Sequence, residues 1–192
     1  MPIASVRAVA RRVLQSTSLT LLVVVAGCYP RYDWRDHRPD CARSWCGFVA
    51  SFPGRVTNAS REIPVGTMRL PLALNVVSVG DVTFAIGAFD LLPGSDPEAA
   101  RAVFERKLLD DVGATEGRRG EIVLHATDRQ PLVATTFEAD GKHDGKALHA
   151  TARFVQRQGR LIEILVIGPA DVLATGSGRQ AVETFVTSLR LD

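Results

Sequence analysis

Long apolar runs are scarce in this chain of 192 residues. One run, Leu19 to Ala26, falls well short of the roughly 20 residues that span a bilayer, and no later stretch approaches that length. A persistent transmembrane helix is therefore not expected. Cysteine is also rare, at three residues, and the spacing matches no zinc pattern. No Gly-x-Ser-x-Gly elbow is present, so the usual hydrolase nucleophile is missing. Gly176-Ser177-Gly178 lacks the third glycine of a dinucleotide fingerprint and the Lys-Ser/Thr of a P-loop, and Ser177 reads more simply as a helix N-cap. An excess of positive charge is absent too, once the N-terminus is set aside. The whole chain carries 23 basic and 21 acidic side chains, but residues 1–27 contribute three Arg and no acid, which leaves 20 against 21. That overall balance gives no support for nucleic-acid binding.

The N-terminus itself is distinctive. Arg7, Arg11 and Arg12 precede the apolar run, which ends at Gly27-Cys28, and basic, apolar and small segments in that order make an export signal. Val25-Ala26-Gly27-Cys28 resembles the bacterial lipobox, in which an aliphatic residue and two small residues precede a cysteine that takes a diacylglyceryl group. The resemblance implies cleavage before Cys28, lipidation of its thiol and a membrane partner reached through the lipid. Tyr29 stands where enteric-type sorting places Asp to retain a lipoprotein in the inner membrane. The expected address is therefore the outer membrane, facing the periplasm.

Export also changes how Cys41 and Cys46 read, because an oxidising compartment favours a disulfide between them. A metal site using His37, Cys41 and Cys46 is the rival and lacks an evident fourth ligand. Residues 28–46 hold both Tyr and both Trp of the protein, Tyr29, Tyr32, Trp34 and Trp45, among several Arg. They read as a tether whose aromatics rest on the domain or at the membrane interface; binding a partner or glycan is the sharper alternative.

Residues 47–192 read as a single domain. Phe48 to Phe52 is a short apolar strand ended by Pro53-Gly54, and apolar residues alternate from Met68 to Val76 and from Val82 to Ala88. Pro71 argues for an edge position or a bulge. Ser95 and Glu98 have capping-box spacing before a helix whose stripe is Ala100, Val103, Phe104, Leu108 and Val112, ended by Gly113. Four strand-like segments follow, Glu121 to Asp128, Leu132 to Ala139, Ala147 to Gln156 and Arg160 to Ile167, with residues 140–145 between the second and third as a loop. A second helix from about Ser177 to Ser188 closes the chain. The fold class expected is α+β, an antiparallel sheet with flanking helices.

Several of these residues resemble the PsbP-like fold, especially its bacterial members of unknown function. The likeness lies in Phe48, Phe52, Pro53 and Gly54, in Pro97 at the helix start, in the strand from Gly159 to Ile167, and in the closing Phe185, Ser188, Leu189, Arg190 and Leu191. It covers residues 48–192 and implies an α/β/α sandwich with an accessory, binding or scaffolding role.

For chemistry, His125 and His149 are the candidate ligand-binding residues, with Glu121, Asp128 or Glu138 as neighbours that could approach them. The expectation is a lipid-anchored, non-enzymatic binding or accessory module without a cofactor, with an envelope protein or small molecule as partner. The alternatives are a hydrolase or metal-dependent enzyme built on the two strand histidines, and a purely structural envelope lipoprotein.

Overall fold

The structure, a computed structural model, describes residues 31–40, 47–65, 68–125 and 130–192, and only the backbone of Val65, Met68, Leu70 and His125. The segment expected to be an export signal, Cys28, Cys41 and Cys46 lie outside the described residues, and Tyr32–Asp192 forms one unit. Its elements in chain order are β1 (Arg35–His37), β2 (Phe48–Phe52), β3 (Thr57–Val65), β4 (Met68–Val79), β5 (Val82–Asp90), α1 (Pro97–Val112), β6 (Arg118–His125), β7 (Pro131–His143), β8 (Lys146–Arg157), β9 (Arg160–Pro169), α2 (Ala170–Leu173), α3 (Gly176–Ser188) and β10 (Arg190–Leu191).

Seven strands form one antiparallel sheet in the order β3-β4-β5-β9-β8-β7-β6. Period-two alternation sends its side chains to two cores. On one face Phe89, Phe137, Ala150, Ala152 and Phe154 pack beneath Phe104, Leu108 and Val112 of α1. On the other, Phe84, Ile86, Ile162, Ile164 and Val166 meet Phe185 of α3 and the phenyl rings of β2. The result is the expected α+β class, with helices on both faces of an antiparallel sheet.

A small sheet, β1-β2-β10, joins the two ends of the unit. Leu191 pairs with Phe48, and the backbone N–H of Ser51 donates to Ser188 Oγ at 2.9 Å. The opening Phe-rich segment and the closing Phe-x-x-Ser-Leu-Arg-Leu segment are thus two halves of one contact. Residues 32–40, read from sequence as part of a tether, belong to this folded unit: Tyr32 and Trp34 lie with ring centroids 6.1 and 6.5 Å from Phe84, and His37 reaches Asn75 at 3.0 Å. Resting on the domain is the first of the two roles expected of those aromatics.

Some boundaries differ from the sequence reading. β3 is absent from the strands expected by sequence because Thr57–Val65 is polar and mostly exposed, which suits its place at the sheet edge. Pro71 lies beyond the last β4–β5 pair, Ala73 with Ala88, and pairs only with Glu62 of β3, so on its β5 side it is locally at an edge. Asp96, not Ser95, caps α1, accepting from the Glu98 N–H at 2.9 Å; Thr175, not Ser177, caps α3 and accepts from Gly178 at the same distance. Glu105, buried on α1, is paired with Arg119 of β6, whose Nε lies 2.9 Å from the carboxylate. At the far end of α1, Gly113 takes φ +68°, and a Cβ there would stand 2.3 Å from Lys142 O. Only glycine lets the helix end settle this closely on β7.

Among the described residues, no helix is long and apolar enough to cross a membrane.

Candidate functional site

The hairpin β7–β8 turns at Asp144 and Gly145, with φ of 50° and 82°. Two consecutive left-handed residues make the tight turn that matches strand twist. Register then fixes which residues face each other: Asp140 stands opposite His149, and Glu138 opposite Thr151. Because Ala150, Ala152 and Phe154 point into the α1 core, His149, Thr151 and Arg153 emerge on the opposite face.

That flank of the sheet carries polar side chains, while α3 spends Ala181 and Phe185 on the apolar core. Between helix and strands a groove of about 700 Å³ remains, within the usual range for small-molecule sites. Its floor is Glu138, Asp140, His149, Thr151 and Arg153; Leu173, Arg179, Val182, Glu183 and Val186 line the helical side.

Charges within the groove are unevenly committed. His149 Nδ1 donates to Asp140 Oδ1 at 2.7 Å, and Arg118 of β6 donates to Asp140 at 3.1 Å and to Glu138 at 3.2 Å. The hydrogen bond from His149, helped by Arg118 and opposed by partial burial, holds the Asp140 carboxyl below its ordinary range. Its contribution to stability is present above the usual carboxylate pKa and is lost as pH falls through the lowered value. Arg153, partly buried, has no hydrogen bond or ion pair among the described residues, and desolvation pushes its guanidinium below its ordinary value.

The two candidate histidines are not brought together. His125 pairs with Pro131 at one end of β7 and His149 with Asp140 near the other, nine residues along the strand or about 30 Å. His149 enters the groove. Of the acids named as neighbours, Glu138 joins it there, Glu121 lies on β6, and Asp128 is outside the described residues. Asp140 and Arg153 were missed. Asp140 sits in a Gly- and Asp-rich segment that reads as loop, although both it and His149 stand four residues from the turn pair, a signal available to hairpin register. Arg153 carried no signal beyond its alternation with Ala152 and Phe154.

Among the described residues, no cluster of three or more His, Cys, Asp and Glu side chains is arranged to hold a metal ion. His149 Nε2 has no hydrogen-bonded hydroxyl or thiol among them.

No protein-family model matches the chain. No curated protein sequence matches it either. Solved structures similar to it include the Ran-binding protein Mog1p of Saccharomyces cerevisiae, at 10% identity and TM-score 0.47, over 83% of this chain and 96% of that one. The PsbP protein of the cyanobacterium Synechocystis is similar at 10% identity and TM-score 0.47, over 84% and 94%. A Pseudomonas aeruginosa protein of unknown function, described as a putative regulator, is similar at 16% identity and TM-score 0.38, over 69% and 96%.

Proposed function

We propose that this chain is a lipid-anchored module of the bacterial cell envelope, of the PsbP-like kind, that binds a small ligand in the groove between β7–β8 and α2–α3. The groove is the observation that carries the binding reading. It is large enough for a small molecule and mixes an apolar wall with a few fixed polar groups. Export and anchoring are supported by the order of basic, apolar and small residues before Cys28.

A hydrolytic reading has one observation in its favour, the hydrogen bond between His149 and Asp140, which would orient a general base. It lacks a nucleophile bonded to that base among the described residues, so binding is preferred.

Native mass spectrometry of the protein extracted gently from its membrane should detect a bound small molecule. Val182→Trp, which fills the groove from the α3 side, should remove that adduct and leave the circular-dichroism spectrum unchanged. An adduct that survives Val182→Trp would place the ligand elsewhere and overturn the groove reading.

A further inference from the structure

We propose that the groove takes a small organic anion, with one carboxylate or phosphate group held by Arg153 and an apolar body lying along α3; this rests on the groove reading above. Asp140 is bonded by His149 and Arg118, and Glu138 by Arg118, so neither acid is offered to a ligand as a bare charge. What remains is Arg153 and Arg179 against Glu183. Arg179 and Glu183 are exposed on the helix, and Arg179 already donates to the Ala174 carbonyl. Arg153 differs from both: it rises from the floor, is partly buried, and has no partner among the described residues.

A guanidinium removed from part of its water without a counter-charge is a costly arrangement for the fold alone. The cost is recovered when an anion enters, because the planar fork of Arg matches the two oxygens of a carboxylate or phosphate. The wall opposite sets the rest of the ligand. Val182 presents aliphatic surface beside the nearly buried Leu173 and Val186, which favours an apolar body over a sugar or a polyanion.

Calorimetric titration of the mature lipoprotein in nanodiscs tests this, with empty nanodiscs as the blank. The probes are 3-phenylpropionate, phenyl phosphate, the neutral 3-phenylpropan-1-ol and inorganic phosphate. At least one of the two aromatic anions should bind about tenfold or more tightly than the alcohol, and inorganic phosphate, lacking the apolar body, should bind more weakly than that anion. Which anion binds better identifies the head group. Arg153→Gln should weaken the anion by about tenfold while unfolding at or above the wild-type temperature, because the desolvated charge is gone, and Arg153→Lys should recover part of the lost binding. Equal binding of alcohol and anions, unchanged binding to Arg153→Gln, or no binding of any probe would each overturn the anion proposal. The groove reading stands or falls separately, on whether the native adduct is lost in Val182→Trp.

Discussion

Replacing Glu163 by Gln should raise the unfolding free energy by up to about 3 kcal/mol at pH 8 and change it little at pH 4. Glu163 lies on β9 beneath α1, 5% exposed, opposite Gly87 of β5, and has no hydrogen bond among the described residues. Burial raises its carboxyl from 4.5 to about 7, with Arg61 opposing the shift and Asp111 adding to it. The sign follows from proton counts. Below about pH 4.5 the carboxyl is neutral folded and unfolded, and costs nothing extra. Between 4.5 and 7 the folded chain keeps a proton that the unfolded chain releases, so stability falls as pH rises. Above 7 the full cost of an ionised buried carboxylate is present. Gln has the same shape without that charge, so urea unfolding from pH 4 to 8 should lose this downward slope in the variant. An unchanged slope would mean that Glu163 finds a partner or water when ionised.

Phe185→Ala should cost about 4 kcal/mol, by the transfer of a phenyl ring and the cavity left behind. Phe185 is fully buried on α3, with ring centroids 5.1 Å from Phe52 of β2 and 5.4 Å from Phe84 of β5, both edge-on. It therefore joins three elements, and edge-to-face pairs add to the effect of burial. Its neighbour Val186 lines the groove, so loosening α3 should also weaken ligand binding. Urea unfolding should show a lower midpoint with an unchanged slope, and a loss below about 1 kcal/mol would contradict the central place given to this ring.

The parts of the fold legible in the sequence are those where one local rule decides. Alternation marked β4 and β5, and the stripe from Ala100 to Val112 marked α1, because burying one face leaves a period in the residues. Phe48, Phe52 and Phe185 were legible as the ends of a resembling pattern, and the structure supplies its reason: β2 and β10 pair, with α3 packed over them. β3 was illegible because an exposed edge strand needs no apolar face. The site was harder for a related reason. His149 could be named as a polar residue on a strand, but its partner depended on where β7 stopped, and the residues from Asp140 to Gly145 look like a loop although the ladder continues to His143. Arg153 acquires meaning only from what fails to surround it, which no local pattern records.

We propose that Cys28 holds this domain at a membrane, where its groove binds its ligand. Intact-mass spectrometry of the protein isolated from its own host tests that anchor. The expected mature chain has 165 residues beginning at Cys28, from the 192 of the precursor less the 27 before it, and is heavier by a diacylglyceryl group and an amide-linked acyl chain. A chain that begins at another residue, or that begins at Cys28 without lipid, would contradict it.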